Sequence, residues 1–293
     1  MIERPSLQAL ALFLAVVDHG TMTAAAEAEG IAQPAISVHV RNLERFYGVP
    51  LMERSGRRVR PTATGELVAS YARRIAGLVN DLGHAVEDLE GLRTGRLVVG
   101  VSATVAETWL PGMLGRFRRA YPAIEMDVRI GNSEQILHEV SERSLGFGIV
   151  GRPDPGPDLV ARRLFSDGLE FFAAAGSSLL ARQPLRLDDL ADETFVLRET
   201  GSATREYMLR CLAAHDMNPV KTIQLGSNEA VKRAVAAGLG VGILSSQTLD
   251  VDVRAGDVVI LQCAGWECRR HFWLVQRRDR VLSRAEQAFL DLR

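Results

Sequence analysis

Eight residues near the N-terminus have the types and spacing to read and grip a nucleic acid. Pro34, Ser37, Val38, Arg41 and Arg45 share one side of a helix that opens at Gln33-Pro34, with Gln33 at its tip. Ile36, Val40, Leu43 and Tyr47 form the opposite stripe, which is expected to face a core. Gln, Ser and Arg side chains can pair with base edges, and an apolar side chain can contact a thymine methyl. Arg54, Arg57 and Arg58 lie in the run RSGRRVRPT, which suits phosphate contacts rather than base reading. A solvated charged face is the alternative for Arg41 and Arg45 taken alone. From Arg41 to Arg60, however, Arg41, Arg45, Arg54, Arg57, Arg58 and Arg60 stand against only Glu44 and Glu53. The expected DNA-binding set is Gln33, Pro34, Ser37, Val38, Arg41, Arg54, Arg57 and Arg58.

A second group of polar residues suits an anion. Four turns place hydroxyls or amides between the end of a strand and the start of a helix: Ser102-Ala103-Thr104, Gly131-Asn132-Ser133, Thr200 to Arg205, and Gly226-Ser227-Asn228. Helix N-termini carry free N–H groups and favour negative charge. The expected ligand contacts are Ser102, Thr104, Asn132, Ser133, Thr200, Ser202 and Thr204. Each turn alone reads equally as a helix N-cap. Arg198 and Arg205 could add charge, although Arg205 can also pair with Glu199 or Glu206.

Catalytic signatures are not found. The sequence has no GxSxG, no Walker A, no CxxC, no HxxxH and no GxGxxG leading into a suitable helix. No catalytic residue, metal or cofactor is expected, and the chain is not read as an enzyme. Its 3 cysteines, an odd number, argue against a disulfide framework, so Cys211, Cys263 and Cys268 are expected as buried, inert thiols.

These residues need elements to hold them. Leu7, Leu10, Phe13, Leu14 and Val17 give a first helix ending at His19-Gly20, where glycine supplies the left-handed cap. Thr21 or Thr23 can cap an alanine-rich second helix, and a turn at Glu29-Gly30-Ile31 leads to Pro34, at home in a first helical turn. Followed by a basic hairpin, this is an all-α winged helix-turn-helix domain, placed at 1–62. In the segment 63–93, Val68, Tyr71, Ile75, Leu78, Leu82, Ala85, Leu89 and Leu92 alternate in steps of three and four. That is a heptad pattern expected to pair with a second copy, although Gly77, Gly83 and Gly91 weaken the helix. The alternative is one amphipathic helix packed on its own chain. From Arg96 onward strands and helices alternate, which predicts a parallel α/β sheet in a domain at 94–293.

Composition narrows the remaining choices. Two or three domains suit 293 residues, and the formal net charge of −1 means that the positive charge is local rather than general. No run of about eighteen apolar residues is present, so no membrane contact is expected. MIERPSLQAL does not look like a secretion signal, and the cysteine usage fits a reducing cytoplasm.

Taken together, the chain resembles the LysR-type transcriptional regulators along its whole length. The resemblance is carried by Leu10, Phe13, Ala25-Ala26, Gln33-Pro34-Ala35, Ser37, Leu43-Glu44, Gly48, Leu51, Arg54, Thr62 and Gly65. Ala32, Met52 and Pro61 depart from the common pattern, and Ala32 removes a serine that could cap the recognition helix. The resemblance implies a two-lobed, periplasmic-binding-protein-like effector domain, with lobe I at about 94–165 plus 268–293 and lobe II at about 166–267. It implies a regulator, here read as an activator, that binds double-stranded promoter DNA and is switched by a small anion bound between the lobes. It also implies a homodimer extended to a dimer of dimers, and contact with RNA polymerase. RETGSATR and SNEAVKRAVAAGLGVGILS are similar to the branch that includes the CbbR regulators of carbon-fixation operons and the CysL-like regulators of sulfur metabolism. Some LysR-type proteins sense peroxide through a cysteine pair, but the lobe II pair expected for that is absent. The competing class is an α/β solute-binding or enzymatic domain with an incidental helical N-terminus; a periplasmic binder would need an export signal.

Overall fold

The computed structural model describes residues 4–56, 58–90, 95–153 and 156–292. Of the positions singled out above, Arg57, Gly91, Leu92 and the side chains of Ala85 and Leu89 lie outside the described residues. The chain forms two compact units, residues 1–86 with 142–144, and residues 87–141 with 145–293.

The first unit opens with α1 (Leu7–His19), α2 (Met22–Ala28) and α3 (Gln33–Tyr47). Local chemistry sets their ends. Ser6 caps α1 through Ala9 N–H at 3.1 Å, and Gly20 closes it in the left-handed region at φ 69°. Thr21, rather than Thr23, caps α2 through Ala24 N–H at 3.1 Å. Ala32 gives α3 no side-chain cap. Ala25 and Ala26 are buried and small, so α2 can lie close against its neighbours. A two-stranded hairpin follows, β1 (Met52–Ser55) with β2 (Arg58–Pro61), and then α4 (Ala63–Glu90). At 28 residues α4 is about 42 Å long. Phe13, Val16, Ile36, Val40 and Leu43 make the core, and Val68, Ala69 and Ala72 of α4 complete it. The core therefore runs past residue 62 into the long helix. Tyr47, expected on the core stripe, is 42% exposed at the end of α3 and meets Phe46 edge-on instead.

In the second unit, β3 (Gly95–Ser102), α5 (Ala103–Glu107), α6 (Trp109–Ala120), β4 (Ile124–Gly131), α7 (Ser133–Ser141) and β5 (Phe147–Val150) begin lobe I. β6 (Leu159–Ala174) crosses into lobe II, which holds β7 (Thr194–Arg198), α8 (Ala203–Ala213), β8 (Lys221–Leu225), α9 (Asn228–Ala236), β9 (Val241–Ser245), α10 (Ser246–Ala255) and β10 (Val258–Ile260). β11 (Arg269–Arg277) crosses back, and α11 (Arg284–Asp291) finishes lobe I. The strands run in the order β4-β3-β5-β11-β6-β9-β7-β8, with β10 also on β6. β3, β4 and β5 pair in parallel, as do β7, β8 and β9, but β6 and β11 are antiparallel to their neighbours. The expected parallel sheet is thus two parallel halves joined by an antiparallel crossing pair. Trp109, Phe165 and Phe272 cluster beside the crossing, with Trp109 stacked on Phe165 at 4.8 Å.

The cysteines do not all remain thiols. Cys211 of α8 and Cys268, just before β11, form a disulfide with Cα atoms 5.9 Å apart, leaving Cys263 free. Their separation of 57 residues offers no spacing signal; the crossing of β11 brings them together.

Beyond its buried first turns, α4 leaves heptad positions uncovered: Tyr71, Leu78 and Leu82 are 55, 52 and 65% exposed. An exposed apolar stripe at heptad spacing is the kind of surface that pairs with a second helix. We expect light scattering to give twice the chain mass at micromolar concentration, and Leu78→Glu to return it towards one chain. An unchanged mass for Leu78→Glu would remove α4 from the interface.

Candidate functional site

The polar side of α3 is exposed as the periodicity predicts. Gln33, Pro34, Val38 and Arg41 are exposed on α3, and Ser37 is half-buried. Gln33 Nε2 donates to Ser37 Oγ at 2.9 Å, which ties two candidate base readers into one polar patch. Arg54 and Arg58 are exposed on the hairpin. The hairpin is held at both ends: Val59 N–H donates to Gly20 C=O at 2.9 Å, and Glu44 Oε1 accepts from the N–H groups of Leu51 (2.9 Å) and Met52 (3.3 Å). In the sequence Glu44 reads as an opposing charge and as part of the family resemblance, not as a docking group. Its structural task, docking the hairpin on the recognition helix, depends on a loop closure that no periodicity encodes.

In the second unit, Ser102, Thr104, Asn132, Ser133, Ser202 and Thr204 converge at the ends of strands from both lobes. With Gly151, Arg198 and Arg270 they surround a cavity of about 10 Å³, room for about one water. Thr200 is not part of the lining. Its backbone accepts from Asn132 Nδ2 at 3.4 Å because the chain turns there through Gly201 at φ 86°, and Gly201 C=O accepts from Glu134 N–H at 3.2 Å. Both contacts bridge the lobes. The fourth predicted turn is also set back: Ser227 caps α9 through Ala230 N–H at 3.1 Å, and Asn228 is wholly buried behind the lining.

Two ion pairs govern the electrostatics. Arg270 Nε donates to Asp167 Oδ2 at 2.9 Å, and the two side chains are 1% and 0% exposed. Arg270 Nη1 donates to Thr204 Oγ1 at 2.7 Å, and its Nη2 reaches Thr104 Oγ1 at 3.4 Å. One guanidinium thus touches both lobes. Burial lowers its pKa, and Asp167 opposes that. Arg198 is the second cation, bidentate to Glu199 at 2.7 and 2.8 Å and bonded through Nη1 to Asn228. Asn228 Nδ2 donates across the cleft to Glu107 Oε2 at 2.8 Å. Arg205 is not a cleft residue: it donates to Arg198 C=O (3.0 Å) and Gln224 (3.1 Å), while Arg152 takes Glu206. Since both cleft guanidiniums are already paired, the site offers an anion oriented dipoles within a balanced charge field. Ser102 Oγ is buried and has no hydrogen-bond partner among the described residues. Arg270 was not anticipated. The inward alternation of RRHFWLVQR is the one signal that could have suggested it.

Comparison with known proteins agrees with this geometry. Residues 7–66 match the bacterial regulatory helix-turn-helix protein, lysR family, and residues 90–292 match the LysR substrate binding domain. The HTH-type transcriptional regulator CbbR of Rhodospirillum rubrum is 34% identical over 284 residues, covering 97% of this chain and 94% of that protein. The regulatory domain of CcmR from Synechocystis PCC6803, solved in complex with 2-phosphoglycolate, is 31% identical with a TM-score of 0.62, covering 68% of this chain and 95% of that one. CbnR, solved full-length with its target DNA, shares the fold at a TM-score of 0.70 and 20% identity, covering 98% of both chains.

Burial raises the pKa of Glu107 above its ordinary 4.5, and the bond from Asn228 only partly offsets this. The folded state therefore holds the proton more tightly than the unfolded state. That stabilisation is complete below pH 4.5 and is lost as pH rises through the folded value. Glu107→Gln keeps an acceptor for Asn228 without the charge, so its Tm advantage over wild type should grow between pH 4 and pH 7. A pH-independent difference would show that Glu107 is not desolvated.

Proposed function

The chain belongs to the LysR family of transcriptional regulators, and on that premise we propose how this member reads DNA and what switches it. α3 enters the major groove with Gln33, Ser37 and Arg41 reading bases and Pro34 and Val38 making apolar contacts, while Arg54, Arg57 and Arg58 hold phosphates. The exposed Gln33–Ser37 patch carries this reading. The chain works beside DNA in the cytoplasm as a binding protein rather than a catalyst. α4 pairs two copies, a dimer of dimers spans the promoter, and the assembly activates transcription through contact with RNA polymerase.

The switch is a small anionic metabolite for which the cleft cavity of about 10 Å³ must widen, held by Ser102, Thr104, Asn132, Ser133, Ser202 and Thr204 around Arg270. The Ser102 hydroxyl, without a hydrogen-bond partner among the described residues, supports this, as does the 2-phosphoglycolate complex of the CcmR regulatory domain. A phosphorylated two-carbon acid offers the acceptor oxygens that such a ring of donors requires. An anion that touches both lobes favours their closed arrangement by its differential affinity for the two states, typically ~1–3 kcal/mol of coupling. Thr200 acts through its backbone bridge rather than through its hydroxyl.

Two measurements test these assignments. Arg41→Ala should relax operator preference at one base position by roughly 1–3 kcal/mol, whereas Arg58→Ala should weaken all DNA binding and reduce the salt slope by about one. Equal discrimination by Arg41→Ala and wild type would displace Arg41 from the reading face. Calorimetric titration with 2-phosphoglycolate should show binding that Thr104→Val or Ser202→Ala weakens at least about tenfold, with basal operator binding retained. Full binding by the Ser102→Ala, Ser202→Ala double variant would place the anion elsewhere.

A further inference from the structure

We propose that Cys211 and Cys268 are a reversible thiol–disulfide pair that sets the affinity of the cleft for its anion, an inference that rests on the cleft being the ligand site. The pair joins two walls of that cleft. α8 contributes Ala203 and Thr204 to the lining and carries Cys211 about two turns further on. Cys268 lies two residues before Arg270, the guanidinium that reaches both lobes. The Thr204–Arg270 hydrogen bond of 2.7 Å and the disulfide therefore tie the same two segments, one at the cavity and one behind it in the lobe II core. A covalent tie behind the wall restricts the segments that the hydrogen bond must align, and preorganisation of this kind strengthens binding.

Stable structural disulfides are rare where DNA is transcribed, because thiol buffers reduce them; a bonded pair in such a protein is characteristically transient or sensing. The geometry gives the exchange an order. Cys211 is half-buried whereas Cys268 is 3% exposed, so a small reagent meets Cys211 first. With a low-molecular-weight disulfide such as glutathione disulfide, the Cys211 thiolate attacks one sulfur and expels one glutathione thiolate. The Cys268 thiolate then attacks Cys211 Sγ in the mixed disulfide and expels the second. The two protons lost by the cysteines end on the two glutathiones, and the pair is oxidised by two electrons. Cys263 does not compete: burial, with Glu170 and Asp189 nearby, pushes its pKa up to about 11, so it stays a thiol at neutral pH.

The test uses the full-length chain treated with glutathione disulfide or with dithiothreitol. Maleimide labelling and intact mass should count three thiols when reduced and one when oxidised. Calorimetry should show 2-phosphoglycolate binding the oxidised form at least about threefold more tightly. Cys211→Ser and Cys268→Ser should stay at the reduced affinity under both treatments, and Cys263→Ser should behave as wild type. Three labelled thiols after oxidation, or equal affinities in the two states, overturn the proposal. If 2-phosphoglycolate binds neither state, the ligand reading fails, and amide exchange in residues 203–213 decides for the pair. Slowing on oxidation in wild type but not in Cys211→Ser supports the redox tie, and unchanged exchange overturns it.

Discussion

The ion pair between Asp167 and Arg270 is the interaction on which the ligand-binding half of the molecule is organised. The two residues stand directly opposite each other on β6 and β11, the strands that carry the chain between lobes. Burying two charges is expensive, and the cost is recovered only when every donor and acceptor is used. Here much of that condition is met: Asp167 Oδ1 also accepts from Ser245 Oγ at 2.8 Å, and Arg270 donates one N–H from Nη1 to Thr204 and one from Nη2 to Thr104. Loss of either partner would strand a charge in the interior, typically ~3–5 kcal/mol. The same pair holds one threonine from each lobe, so the balance of charge and the alignment of the lobes are a single problem with a single solution.

The DNA-binding half solves a different problem, presenting flexible side chains from a rigid frame. Small residues in α2 let three short helices share a core, and Glu44 uses two backbone N–H groups to fix the hairpin against α3. The chain as a whole carries a formal charge of −1, so attraction to a polyanion depends on positive charge concentrated locally, as it is between Arg41 and Arg60.

What could be read from the sequence was local. The helix-turn-helix, its caps at Gly20 and Thr21 and the absent cap at Ala32 follow from neighbours within four residues. The cleft hydroxyls were legible because strand ends followed by helix starts mark where such folds gather polar groups. Side chains whose role is set by register across the sheet were not. Asp167 and Arg270 are 103 residues apart, and Cys211 and Cys268 are 57 apart. Nothing near either residue announces its partner. Thr200 and Arg205 were misplaced for a related reason: the left-handed turn at Gly201 shows the Thr200 backbone to the opposite lobe, and Arg205 finds Gln224 on an adjacent strand.

The crossing strands also fix the order in which the protein can be finished. Lobe I begins at β3, yet its core contains Phe272, Leu274, Phe289 and Leu290 from the last strand and helix. A ribosome must therefore synthesise all of lobe II before lobe I can close its core. Until then Leu97, Val99 and Val101 of β3 lack the residues that will cover them. The lobe started first is completed last, so the nascent chain carries an open apolar sheet through most of its synthesis, the kind of surface on which chaperones act. A premature stop shortly before β11 would leave lobe II with most of its own residues and lobe I without Phe272, Leu274, Phe289 and Leu290.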